Sequence, residues 1–293
     1  MYNLYMDFKE KLQTKEFIIT AELFPPKGTD ISAFLSKADI LKKAVDAINV
    51  TDNQRASMRV GSMAMCRLLK EKGIETILQM TCRDRNRIAL QSDLLSASVL
   101  GINNVLVLSG DHPNVGEYAG TKTVYDFDTI QLIKTARLLE TGIDFAGKKL
   151  NGSPKFCLGA VANPTATPIE LQILMLEKKI EAGIEFAQTQ TVFDVAQYRD
   201  FYEKTRNFKI RILPGVSVIK SVKFMDFLKK LPGVNIPEEI QKRILAAQDP
   251  FEEGLNICAE TVKQLKKFAP GIHIMAIGIE EYIPEILKRA EIL

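Results

Sequence analysis

Tryptophan is absent, which decides nothing about class, and histidine occurs only at His112 and His273. Cysteine is scarce: Cys66, Cys82, Cys157 and Cys258 are widely separated, with no CxxC or CxxH pair. The chain therefore offers no metal-site spacing of its own, and free thiols are expected. No resolving cysteine lies near Cys82, which argues against a redox thiol there. No apolar run is long enough for a membrane span. The opening residues, MYNLYMDFKEKLQ, lack the apolar core of a signal peptide, so a cytoplasmic location is expected. Neither sign of charge dominates: 39 Lys and Arg stand against 36 acids, a formal net charge of +3. That balance gives no argument for nucleic acid, whose binders usually carry a basic stripe. No Ser/Gly linker or charge block divides the 293 residues, so a single domain over 1–293 is expected.

What is present is an alternation. Short apolar, β-rich runs begin at 17–22, 46–50, 76–81, 104–109, 156–161, 185–190, 209–215 and 272–278. Helical patterns follow near 31–43, 57–72, 86–99, 127–140, 168–182 and 194–205, then between 219 and 268, and finally up to about 290. Strand-then-helix units repeated eight times predict a (β/α)8 TIM barrel, with extra helices between strands seven and eight. Thr167-Pro168-Ile169-Glu170 fits a capping box, and Asp249-Pro250-Phe251-Glu252 gives a similar start. Gly73, Gly101 and Gly183 each fall where a helix should stop. Ile169, Ile173, Leu176 and Ile180 share one helical face.

In such a barrel the chemistry sits at the C-terminal ends of the strands. Polar residues collect there: Glu22, Thr51-Asp52-Asn53-Gln54, Thr81-Cys82-Arg83-Asp84, Ser109-Gly110-Asp111-His112, Asn163 and Gln190. Asp52 and Asp84 are adequately explained as polar loop residues. Glu22, Gln79 and Gln190 are not, because they lie inside strand-like runs, where an unpaired buried polar group costs roughly 1–3 kcal/mol. His273, on strand eight, reads as a packed strand residue rather than a ligand.

TAELFPPKG, VTDNQ, LQMTC, LVLSGDHP and AQTQTVFD lie in order on successive predicted strands. Together they resemble the methylenetetrahydrofolate reductase family, over nearly the whole chain. The resemblance implies an FAD-bearing barrel that reduces 5,10-methylenetetrahydrofolate to 5-methyltetrahydrofolate. It makes Glu22 the general acid that opens the methylene bridge, its pKa raised by an apolar setting beside Phe24 and two prolines. It gives Asp111 to the amino-pyrimidine edge of the pterin and to the flavin's vicinity, and Gln190 to pterin recognition. It places Thr51, Gln79, Ser109, Gly110, Asp111, Tyr125, Ala160, Val161, Ala162 and Asn163 against the flavin, with Lys178 and Lys179 toward its pyrophosphate. Better-known relatives have histidine and arginine where this chain has Gln79 and Ser109. No GxGxxG follows a strand, so a Rossmann-type FAD site is not expected.

The pattern departs after strand eight. NADH-using relatives carry an arginine there, whereas this chain reads Ala276-Ile277-Gly278. The cation for the folate's carboxylate tail must then come from elsewhere, with Lys220 as the candidate. This C-terminal pattern is similar to reductases of acetogenic and related anaerobes. Some of those work beside a small zinc- or iron–sulfur-binding subunit and a larger electron-transfer complex, so such partners, or an oligomer, are expected. Two other readings stay open: a folate- or pterin-binding methyltransferase subunit without flavin, and a non-catalytic scaffold subunit.

Overall fold

The computed structural model describes residues 6–231 and 233–293. Its parallel strands close into a barrel in sequence order: β1 Ile18–Leu23, β2 Ala47–Val50, β3 Thr76–Thr81, β4 Asn104–Leu108, β5 Cys157–Ala162, β6 Phe186–Thr191, β7 Arg211–Ser217 and β8 Gly271–Met275. Closure is made by β1 on β8, with Ile18 opposite Gly271 and Thr20 opposite His273. The helices are α1 Phe8–Thr14, α2 Ser32–Leu41, α3 Ser62–Glu71, α4 Arg87–Val99, α5 Thr129–Glu140, α6 Ile169–Ala182 and α7 Val195–Thr205. The predicted extra helices are α8 Val222–Leu228 and α9 Glu238–Ala246, ahead of α10 Pro250–Leu265; α11 Ile283–Arg289 ends the fold.

Strand side chains alternate with period two, and the two faces have different tasks. Ile19, Ala21, Leu23, Ile48, Val50, Leu78, Met80, Val105 and Val107 point outward into the main core under the helices. Ile18, Ala47, Ile77, Leu106, Cys157, Phe186 and Leu213 form a separate apolar layer inside the barrel, at the N-terminal end of the strands. Phe8 of α1 joins that layer, its ring edge-on to Phe186 at 5.3 Å. The sequence reading did not foresee α1. It is a plug, started by a capping box between Asp7 and Glu10. Gly159 makes room for Phe186: a Cβ there would lie 2.3 Å from its ring.

Two local expectations are corrected. Thr167 caps nothing; Pro168 itself is the residue before α6, with no side-chain cap bond. Helix α3 starts at Ser62 rather than near residue 57, because Asn53, Arg55 and Ala56 all have left-handed φ, of 45°, 55° and 50°. A helix cannot run through such residues. The Asp249 cap is present, accepting from the backbone N–H of Phe251 at 2.9 Å. Gly73, Gly101 and Gly183 follow their helices with φ of 68°, 74° and 117°.

Candidate active site

The inward face of each strand turns polar toward its C-terminal end. On β1 the inward series is Ile18, Thr20, Glu22; on β2 it is Ala47, Asn49, Thr51; on β6 it is Phe186, Gln188, Gln190. The middle residues form one buried network. Asn49 Nδ2 donates to Gln188 Oε1 at 2.7 Å, and Gln188 Nε2 donates to Asn49 Oδ1 at 3.1 Å and Thr20 Oγ1 at 3.0 Å. Thr20 Oγ1 lies 2.9 Å from His273 Nδ1 but 3.4 Å from the Ile272 carbonyl. The hydroxyl has one proton, and the shorter contact is the better hydrogen bond. Nδ1 is therefore the acceptor, and a neutral His273 carries its proton on Nε2. That nitrogen lies 3.5 Å from Glu22 Oε1, which also accepts from Gln79 Nε2 at 2.7 Å. Glu22 thus stands above a polar column, its side chain 15% exposed, with one carboxylate oxygen bonded to Gln79 Nε2 and 3.5 Å from His273 Nε2. His273 is packed, as its strand position implied, but it is also a member of the site. Its period-two register with β1, opposite Thr20, was the available signal.

Gln190 reaches the mouth through an irregularity. The β6–β7 register shifts between Gln188 and Thr191. The Thr189 hydroxyl donates to the Gln190 carbonyl at 2.8 Å and accepts from Gly215 N–H at 3.0 Å. Gly215 is required there, since a Cβ would lie 2.4 Å from the Thr189 carbonyl oxygen. Such bulges re-aim side chains beside sites.

Asp111 follows β4 through Gly110, whose φ of 87° suits glycine, and it is exposed. Its Oδ2 accepts from the Arg55 backbone N–H at 3.2 Å. Arg83, missed as a site residue, fixes this corner. Fully buried, it donates to the carbonyls of Asp111 and Asn53, both at 3.1 Å, and pairs with Asp84 at 2.7 Å. Asp52 accepts from Thr81 N–H at 2.9 Å and pairs with Arg85, while Asp84 is engaged by Arg83. His112 Nδ1 accepts from Asn114 N–H at 3.3 Å. Burial pushes the Cys82 thiol up to about 12, with the Asp128 charge adding to it, so it is not a nucleophile at neutral pH.

The residues expected against a flavin divide into three groups. Some are engaged within the chain: Thr51 Oγ1 donates to Gln54 at 2.8 Å, Tyr125 OH to the Gly110 carbonyl at 3.0 Å, and Asn163 Oδ1 accepts from the Thr165 hydroxyl at 3.0 Å. Gln79 is bonded to Glu22. Ala160 and Ala162 point outward into the helix-facing core, so only their backbone is available; Val161 packs toward the interior. Ser109 and Lys178 are exposed. Lys179 is the most informative. Its ammonium donates to the Val161 carbonyl at 2.7 Å, and desolvation alone lowers its pKa. It is a partly buried cation, at the end of β5, that gains no opposing carboxylate, a setting a phosphate group would relieve. The donor set fits FAD at this one anchor.

Two cavities among the described residues bear on the site. One, of about 380 Å³, lies at the N-terminal end of the strands, beside Lys9 and Arg211, far from the polar column. The other, about 280 Å³, opens at the mouth between Asn53, Arg83, Asp84 and Tyr118. Neither is lined by Glu22, Asp111 or Gln190. Among the described residues no cluster of His, Cys, Asp and Glu could hold a metal ion, and no helix is long and apolar enough to cross a membrane.

Comparison with known proteins bears on this geometry. A probable methylenetetrahydrofolate reductase (NADPH) of Caenorhabditis elegans is 26% identical over 98% of this chain but only 44% of its own length. A 5,10-methylenetetrahydrofolate reductase of Pectobacterium carotovorum is 26% identical over 94% of this chain and 87% of its own. The chain thus spans under half of the first of these relatives. Among solved structures, an uncharacterised protein from Clostridium thermocellum, described as binding two copies of 5-methyl-5,6,7,8-tetrahydrofolic acid, aligns over 97% of this chain and 98% of its own, with TM-score 0.68 and 19% identity. At that identity the likeness is one of fold. The family model described as methylenetetrahydrofolate reductase matches residues 7–291, from the α1 plug through α11, and the chain belongs to that family.

Proposed function

We propose that this chain, as one catalytic domain over residues 1–293, is a reductase that converts 5,10-methylenetetrahydrofolate to 5-methyltetrahydrofolate with bound FAD. The observation that carries the reading is Glu22: a carboxyl at the barrel mouth, held by Gln79 and His273, in a chain matched end to end by the family model.

The methylene carbon bridges two nitrogens, and one C–N bond must break before a hydride can add. In this reading Glu22 gives its proton to the leaving nitrogen. Gln79 Nε2 and the Nε2–H of His273 both favour the carboxylate left behind, and Thr20 and Gln188 hold His273 in the required tautomer. FAD, if bound and first reduced by an external two-electron donor, would supply the hydride. Lys179, with Lys178 beside it, would meet its pyrophosphate. Asp111 offers two carboxylate oxygens to the adjacent N–H donors of a pterin, and Gln190, an amide able to donate and accept, completes its edge.

The absorption spectrum of the pure protein tests this. A flavin band that bleaches on anaerobic addition of 5-methyltetrahydrofolate is the expected result. A colourless protein that neither takes up added FAD nor loses methyltetrahydrofolate binding would favour the flavin-free pterin-binding subunit instead.

A further inference from the structure

The opposite end of the barrel holds a feature that the proposed reaction does not use. A cavity of about 380 Å³ lies at the N-terminal ends of β6 and β7, against the plug helix α1. Much of its wall is apolar: Leu12 of α1, Ile184 ahead of β6, and Phe208 and Ile210 ahead of β7. Leu12 and Ile184 are buried, so the cavity is bounded by core residues. Its volume falls in the range of small-molecule sites, and apolar walls with a few polar groups are their usual make-up.

The charged groups at this cavity are mostly cationic. Lys9, Lys209 and Arg211 stand against one acid, Glu185. Glu185 is already paired twice, with Lys9 at 2.8 Å and with Arg137 at 2.7 Å. Among the described residues, Lys209 and Arg211 face no carboxylate within ion-pair distance. Arg211 is half-buried, and burial lowers its pKa with no carboxylate to offset it. Only part of its guanidinium is engaged. Nη1 donates to the carbonyls of Glu16 at 3.2 Å and Pro270 at 3.3 Å, in the segments that lead into β1 and β8. Nε and Nη2 have no hydrogen-bond partner among the described residues. That edge of a guanidinium carries two parallel N–H donors, the shape that receives both oxygens of a carboxylate.

We propose that this cavity is a second binding site, for a small organic carboxylate with an apolar body. The carboxylate takes the Nε–Nη2 edge of Arg211, with Lys209 as a second cation, and the apolar body packs on Leu12, Phe208 and Ile210. Such a ligand ties α1 to the start of β7, and by binding only the folded chain it raises the melting temperature. The site shares no residue with the polar column at the mouth and does not depend on the folate reading.

The test is calorimetric titration of the whole purified chain with three probes: phenylacetate, phenylacetamide, which lacks the charge, and inorganic phosphate, which lacks the apolar body. Each titration is run in excess 5-methyltetrahydrofolate, so that binding at the mouth does not contribute. Phenylacetate should bind at least tenfold more tightly than either of the other two, and Arg211→Gln should weaken it by about tenfold or more. Thermal melts check that the variant folds. Gln13→Trp, at an exposed position of α1 that lines the cavity, fills the space without removing a charge, and it should weaken phenylacetate as well. It supplies the independent arm should Arg211→Gln fail to fold. No binding of phenylacetate by the wild type, equal affinity for phosphate, or unchanged phenylacetate affinity in the folded variants overturns the site. None of these results bears on the folate reading, which the flavin spectrum decides separately.

Discussion

Glu22 has two neighbours that act on its charged form, and each can be removed separately. Glu22→Gln should retain any flavin band and lose folate reduction by at least a hundredfold, because no proton reaches the leaving nitrogen. Folate turnover like that of wild type would remove the acid from the mechanism. His273→Asn keeps a polar side chain but breaks the Thr20–His273–Glu22 line. It should lower kcat by about tenfold or more with little change in KM, since it acts on Glu22 rather than on the ligand. Asp111→Asn should weaken methyltetrahydrofolate binding by at least tenfold, which a direct titration would read; unchanged affinity would sink the pterin contact.

The elements explain why those residues meet. Inward positions of the barrel pass from apolar to polar along each strand, and α1 seals the apolar end. Phe8→Ala should cost about 3–5 kcal/mol, read from denaturant unfolding, because it empties the layer that Phe186 completes. Gln188→Leu should cost about 1–3 kcal/mol, since it leaves the buried Asn49 amide without its partner. The strands were legible because each is a short apolar run followed by a turn, and the Asp249 cap was legible because its bonds are local. Three features were not. The α1 plug depends on Phe8 meeting a residue far along the chain. The late start of α3 depends on left-handed residues at 53, 55 and 56 that no glycine announces. His273 looked like packing because its partners, Thr20 and Glu22, lie on the strand at the other end of the sequence. Glu22, Asp111 and Gln190 are proposed from strand-end position and motif; Arg83 was passed over because its work is to hold carbonyls inside a loop.

At the scale of the whole molecule, loops from distant strands are tied over the mouth: Lys27 to Glu117, Arg55 to Asp111, and Arg55 again to Phe227. The small zinc- or iron–sulfur-binding subunit and larger electron-transfer complex are proposals at this scale. Purified chain that reduces an acceptor with NADH at full rate would make such partners unnecessary. The Arg55–Asp111 bond carries one more consequence. A pterin that takes Asp111 Oδ2 in place of the backbone N–H already seated there waits on the release of that bond, which is a unimolecular event. Stopped-flow traces should then show an observed rate that levels off as ligand is raised, and the ceiling should climb when Arg55 is replaced by glycine, which tolerates a φ of 55° freely and lacks the anchor on Phe227.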